Sequence, residues 1–350
     1  MRILVVGAGP TGLTAALELA RRGHDVTLIE RRSGPSPLSR AVGILESSME
    51  IFAASGVADP IRAEAVDFAG VILHDGARPV GRLPLGFDDR SHLFGLAQNR
   101  TEHHLAEALA RHGVQPRFST PLEGFKRDDT GVRARFGGTE ERFDWLVGAD
   151  GVGSLTRRTL GLDFTGYDLP TRWSIADIES SDLPDPDWFR GFLLPKGRVC
   201  VVAPLSPTRF RVIASTPDAL AALPVPIRVD HLHRADDFTI SVRQVAQYRI
   251  GRVCLAGDAA HCHSPVGGRG MNLGISDAAD LAQRLTGGDI DGYTAARHAE
   301  GRKIIRLSEA LRRRVQSENP VARAALKGLF HVIAAIPPLG RGAAHRLTGN

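Results

Sequence analysis

RILVVGAGPTGLTAALELARRGHDVTLIE, residues 2–30, sets the architecture of the chain. Arg2 to Val6 is a short β-rich run, and Pro10 to Arg22 places apolar residues at helical spacing. Gly23 stops the helix, and Val26 to Ile29 forms a second apolar strand. The order is βαβ, and the turn between first strand and helix reads Gly7-Ala8-Gly9-Pro10-Thr11-Gly12. The glycines differ in what they do. Gly7 permits a tight turn, Gly9 admits a pyrophosphate to the backbone, and Gly12 lets helix and strand pack closely. The helix N-terminus then faces phosphate. Glu30, 23 positions after Gly7, ends the second strand, where a carboxylate accepts hydrogen bonds from a ribose diol. A bare glycine pattern is weak, but in this strand, turn, helix, strand and acid setting it reads as a site for an adenine dinucleotide.

Working outward, Thr120 to Phe143 alternates apolar and polar residues around turns at Asp129-Thr130-Gly131 and Gly137-Gly138, the pattern of an antiparallel meander. It feeds a buried strand, Trp145-Leu146-Val147-Gly148, that ends in Ala149-Asp150-Gly151. Arg252-Val253-Cys254-Leu255-Ala256-Gly257-Asp258 repeats the design and continues as a glycine-rich loop to Gly270, then a helix to about Leu285. Strands separated by crossovers build parallel sheets, so both should join the first one.

Composition narrows the function classes. The 350 residues, 43% hydrophobic, supply a large core, and a formal charge of +5 accompanies no nucleic-acid-binding module. No nucleic acid partner is therefore expected. Cys200, Cys254 and Cys262 match neither a disulfide framework nor a zinc spacing, which fits a reducing cytoplasm. The pairs His231/His233 and His261/His263 lack third and fourth ligands at a known spacing, so no metal is expected. Glycines interrupt the apolar run from Ile3, unlike a signal peptide. The apolar stretch from Leu329 to Ile336 is far short of the roughly 20 residues that span a bilayer, and a packed terminal helix is expected there, with no transmembrane segment.

Three segments together resemble the fingerprints of the class A flavoprotein monooxygenases, the group of para-hydroxybenzoate, phenol, polyketide and tetracycline hydroxylases. They are Gly7-Ala8-Gly9-Pro10-Thr11-Gly12-Leu13, then Gly148 to Arg157, then Gly257-Asp258-Ala259-Ala260-His261 continuing through Pro265-Val266-Gly267-Gly268-Arg269-Gly270-Met271-Asn272. Their order and spacing match the family from residue 1 to about 285. Gly153 departs from it, standing where an arginine is often found, which bears on nicotinamide binding and not on the flavin.

The resemblance implies an α/β fold: a Rossmann-like FAD-binding domain with a β-meander, a mixed-sheet substrate domain and C-terminal helices. The division it suggests is 1–65, 95–161 and 248–290 for FAD, 66–94 and 162–247 for substrate, and 291–350 for the helices. It implies FAD held by Gly7, Gly9, Pro10, Thr11, Gly12, Glu30 and Arg31, with Arg40 and Gln98 near the pyrophosphate. Asp258, after Gly257, would accept from the ribityl chain. Asp150, Ser154 and Arg157 would serve both FAD and the electron donor, NADH or NADPH, with the nicotinamide in a surface groove beside Arg157. Gly268, Gly270, Met271 and Asn272 would lie along the flavin ring, where the next helix aims its N-terminus at N1 and C2=O. The Pro265 carbonyl and the backbone at Gly270 stand nearest the chemistry. There a phenolic or polyketide-like ring would attack the terminal oxygen of a flavin C4a-hydroperoxide formed from dioxygen, with no protein nucleophile. Trp173, Phe192 and Phe210 are candidate walls for the small aromatic substrate, against the competing reading of a packed sheet core. Monomer and homodimer are both compatible with the sequence. Other flavin chemistries on the fold, such as epoxidation, halogenation or reduction, and a non-catalytic flavin-binding regulator remain alternatives. Trp145, Trp173 and Trp188 do not form the Trp-x-Trp-x-Ile-Pro segment of halogenases.

Overall fold

A computed structural model describes residues 1–36 and 41–348. β1 (Arg2–Val6), α1 (Pro10–Ala20) and β2 (Asp25–Ile29) form the expected crossover, with β1 and β2 paired in parallel. A linking region follows: β3 (Gly43–Leu45), α2 (Glu46–Ala53), α3 (Ala58–Glu64) and β4 (Val66–Asp67). The hairpin β5 (Gly70–Asp75) and β6 (Arg78–Pro84) precedes β7 (Leu93–Gly95) and α4 (Gln98–Ala110). The meander is β8 (Leu122–Arg127), β9 (Val132–Phe136) and β10 (Thr139–Phe143), followed by β11 (Trp145–Gly148) and α5 (Leu155–Thr159).

The second half adds β12 (Thr165–Glu179), β13 (Trp188–Leu193), β14 (Val199–Pro204), β15 (Arg209–Ala214) and β16 (His231–Gln244). After β17 (Arg249–Ile250), β18 (Val253–Leu255) and β19 (His261–Cys262) come α6 (Gly270–Gly287), α7 (Tyr293–Val315), α8 (Pro320–Ala335) and α9 (Pro337–Thr348).

Two large sheets organise these elements. The first has the order β17-β18-β11-β1-β2, parallel apart from β17. Its strands are buried on both faces, which is why they read as unbroken apolar runs. Ile3 and Val5 face the helices α1, α4 and α6, while Leu4 and Val6 face the meander through Phe136 and Phe143. The second sheet is mixed, in the order β19-β16-β12-β15-β14-β13-β5-β6.

The strand pairing crosses two of the expected boundaries. Val66–Asp67 and Leu93–Gly95 pair in a small sheet with β3 and not with the second large sheet. The second large sheet instead ends on His261–Cys262, inside the third motif. Main-chain pairing overrides the motif boundary because an antiparallel edge is open to β19 as soon as β16 passes beside it. At the other end, the stretch Leu329 to Ile336 is helical, but α8 has no fully buried residue, unlike the packed helix that its apolar character suggests.

Candidate functional site

The three motifs meet at the carboxyl edge of the first sheet, where the strand order places a ligand crevice. Gly7 has φ +104°, and a Cβ there would strike the Ala149 carbonyl. A Cβ at Gly12 would overlap the Gly7 carbonyl oxygen. At Gly9 a Cβ would meet nothing within 4 Å, so the loop surface above Gly9 is open. The helix behind it starts with Pro10 in its first turn, has no side-chain cap and has no acid in its first turn. Its first amide groups therefore have no side-chain cap among the described residues and suit an anion. The first and third motifs interlock through Thr11, whose side chain fills the space that a Cβ at Gly257 or Gly274 would need. A cradle of this shape fits a dinucleotide.

Glu30 is buried at the strand end, where it accepts from Ala8 N at 2.7 Å and from Arg32 N at 3.0 Å. Burial opposes its ionisation, but Arg32 and these amides hold the carboxyl below its ordinary range. Arg32, not Arg31, is the partner: its guanidinium lies on Glu30 and the Ala8 carbonyl, whereas Arg31 is exposed. Sequence reasoning also missed Glu102. Gln98 accepts from Ala41 N at 3.1 Å and donates to Glu102 at 2.8 Å. Burial pushes the Glu102 carboxyl up, and its second oxygen is buried without a hydrogen-bond partner among the described residues. Its spacing of four from Gln98 on α4 was the available signal. Arg40 lies outside the described residues.

The middle motif is organised around α5. Asp150 accepts from Thr156 N at 2.9 Å and from its hydroxyl at 3.0 Å, and Ser154 caps the helix through Arg157 N at 2.9 Å. The other Asp150 oxygen is buried with no hydrogen-bond partner among the described residues. Arg157 departs from the surface-groove expectation. It is 6% exposed, stacks 4.0 Å over Phe164, and donates to the carbonyls of Ala259 at 2.9 Å and Val152 at 2.7 Å. A buried guanidinium needs fixed acceptors, and two backbone carbonyls supply them, so Arg157 braces the middle motif against the third.

In the third motif Gly257 takes φ +61°, and its N–H donates to Asp277 at 3.0 Å. Asp277 is wholly buried and also holds His261 and Arg297, each at 2.6 Å. Burial opposes its ionisation, yet these two neighbours keep its carboxyl below the usual range. This network fixes the turn that leaves Asp258 exposed at the crevice. The following loop turns at Gly267 and Gly268, with φ +96° and +62°, and leads into the uncapped start of α6.

Three expectations for that loop change. The Pro265 carbonyl already accepts from Gly268 N at 2.9 Å, which closes the turn. The Asn272 side chain is spent on protein, accepting from Leu45 N and the Ser48 hydroxyl and donating to the carbonyls of Gly43 and Gly268. Gly270 has room for a Cβ, its nearest neighbour being His263 at 3.7 Å. His263 donates through Nδ1 to the Ser264 carbonyl at 2.8 Å, and burial pushes its imidazole down to about 4. Its Nε2 has no hydrogen-bond partner among the described residues.

The substrate sheet presents one face to this loop. Leu73, Gly191, Val201 and Ile213 stand side by side on β5, β13, β14 and β15, and Leu73 and Ile213 share a cluster with Val266. Central-strand residues are normally sealed, yet all four are only half-buried. Around them Trp173, Leu193 and Val199 are buried, and so is Arg211, whose charge is met by Asp177 at 2.7 Å. The result is a wall that is apolar apart from the mutually neutralised Arg211–Asp177 pair. Of the expected wall residues, only Trp173 lies on this side. Phe192 and Phe210 pack into the opposite face with Ile178 and Val202, as sheet core.

The pattern for the FAD binding domain family matches residues 1–221 and 211–307. The chain belongs to the class A flavoprotein monooxygenases. Among its relatives in this family, 6-methylpretetramide 4-monooxygenase of Streptomyces rimosus is 31% identical over 99% of the chain and 68% of its own length. Pentachlorophenol 4-monooxygenase of Sphingobium chlorophenolicum is 32% identical over 81% of the chain and 57% of its own length, so the chain spans about half to two thirds of these two relatives. The crystal structure of p-nitrophenol 4-monooxygenase from Pseudomonas putida DLL-E4 superposes with a TM-score of 0.87 at 26% identity, covering 99% of the chain and 98% of that enzyme. The cradle, with its open backbone at Gly9 and its two uncapped helix starts, lies within the matched residues.

Proposed function

We propose that the protein uses NADH or NADPH and dioxygen to hydroxylate a phenolic or polyketide-like aromatic ring. FAD, when bound, supplies the activation of dioxygen. The chain's own residues would hold and shield it: the Gly7–Gly12 loop and Glu30 the adenosine end, Asp258 the ribityl chain, and the start of α6 the electron-rich edge of the ring. The observation that carries this reading is the uncharged, half-open wall of Leu73, Gly191, Val201 and Ile213 beneath the third-motif loop. Such a surface suits a flat apolar ring and excludes water from the reacting atoms.

With Arg157 internal, a nicotinamide visitor is left with exposed surface near Gly153, and no separate domain is assigned to it. The test is NAD(P)H consumption by the FAD-loaded protein against a panel of phenols and polycyclic phenols, with product mass analysis. Stimulated consumption with gain of one oxygen supports the proposal. Consumption that no aromatic compound stimulates, with peroxide the only product, overturns it.

A further inference from the structure

We propose that the outer face of the C-terminal helices seats the protein peripherally on an anionic lipid surface. The first observation is that α8 is turned inside out for a surface helix. Its two cations face inward, where Arg323 and Lys327 reach Asp75 at 3.0 and 2.6 Å. Its solvent side carries Val321 at 75% exposure and Leu329 at 58%, with Val332 and Ile336 also exposed. At about 100° per residue these four fall within about 80° of one another, a single apolar stripe. Leu339 continues it past the corner into α9.

The second observation is charge. After Glu318 the sequence has no Asp or Glu, yet it has Arg323, Lys327, Arg341 and Arg346, which account for four of the five net positive charges. On α7, which contacts β16 at the other end of the second sheet from α8 on β6, Arg302, Arg306 and Arg313 recur at helical spacing and are exposed. Among the described residues, none of these three, nor Arg314 or Arg341, forms an ion pair with a carboxylate. α7 thus presents a basic exposed face and α8 an apolar one.

That combination selects the occupant. A symmetric second copy would bring the unpaired α7 arginines toward their own equivalents, and like charges repel. A nucleic acid would meet the arginines but gain nothing from the stripe on α8. A lipid surface with anionic headgroups satisfies both, taking the stripe into the headgroup boundary and the arginines against phosphate. Among the described residues no single helix is long and apolar enough to cross a membrane, and α8 and α9 reach that length and apolarity only as a pair bent by 111°.

The experiment uses the full-length, FAD-loaded protein, sedimented with vesicles of phosphatidylcholine alone or mixed with phosphatidylglycerol. Pelleting with the phosphatidylglycerol vesicles at low salt, lost at high salt, is expected. The combined change Arg302→Gln, Arg306→Gln and Arg313→Gln should lower partitioning on the order of a hundredfold. Leu329→Gln with Val332→Gln should lower it on the order of tenfold. Both variants should retain flavin and thermal midpoint, because the altered side chains touch solvent. Equal pelleting with both vesicle types, pelleting with neither, or no change in either variant overturns the proposal. So does a dimer, seen by light scattering, that Leu329→Gln with Val332→Gln dissolves, or displacement from vesicles by duplex DNA that depends only on the arginines.

Discussion

The cofactor cradle and the substrate wall use their residues in opposite ways. In the cradle, backbone is closely covered: Gly7 against the Ala149 backbone, Gly12 against the Gly7 carbonyl, and Gly257 against the Thr11 side chain leave no space for a side chain. On the wall, side chains are small, neutral and half-open, and a Cβ at Gly191 would meet only Leu73, at 3.7 Å. A site built from backbone contact tolerates almost no change, whereas one built from side-chain volume is retuned by single substitutions. On the proposed reading, one half would fix the cofactor and the other would set which ring is accepted.

Gly12→Val attacks the rigid half most directly. The overlap with the Gly7 carbonyl should abolish flavin binding in whatever protein folds, as read from the visible spectrum and the circular dichroism of the purified variant. Normal flavin content would show that the cradle yields, and the contrast would collapse.

Asp277→Asn tests whether that rigidity extends to the buried charges behind the third motif. It leaves Arg297 buried without its counter-ion, so a loss of about 3 to 5 kcal/mol is expected in urea unfolding. A loss below about 1 kcal/mol would mean that the network is incidental to the Gly257 turn.

His263, at the border of the two halves, should make stability depend on pH. Its folded pKa lies near 4, below the ordinary 6.5, so the unfolded chain binds more protons between those values. Its contribution is complete above about pH 6.5 and is lost as the pH falls toward 4, or about 2 kcal/mol between about pH 7 and pH 5. His263→Phe should flatten this slope, and unfolding curves at the two pH values decide the matter.

Gly191→Val probes the permissive half. Flavin content should stay normal while KM for the aromatic substrate rises about tenfold, the scale of a few methyl groups in an apolar pocket. Loss of flavin in this variant would show that wall and cradle are not separable.

The cradle was legible in the sequence because its demands are local. Gly7, Gly9, Gly12 and Glu30 sit at fixed offsets in one βαβ unit, which made the dinucleotide site readable, while the full fold class came from the resemblance carried by all three motifs. The wall was not legible, because it depends on register: Leu73, Gly191, Val201 and Ile213 come from four strands and become neighbours only when the sheet forms. A one-residue offset separates Phe192 from Leu193 and Phe210 from Arg211, and that offset decides which face each occupies. Arg157 illustrates another limit. Its place in the middle motif was readable, but its burial against the Ala259 carbonyl depends on a contact with the third motif. Arg32 and Glu102 were missed for the same reason, as their meaning lies in packing around Glu30.

The wedge of Thr11 between Gly257 and Gly274 also bears on how the protein is made. A nascent chain emerging from the ribosome carries the first glycine-rich loop well before the surface that closes on it, which is translated about 250 residues later. Until then the loop is half a socket. Flavin capture should therefore wait for the third motif, and the yellow colour of a newly made chain would report that the first and third motifs have met.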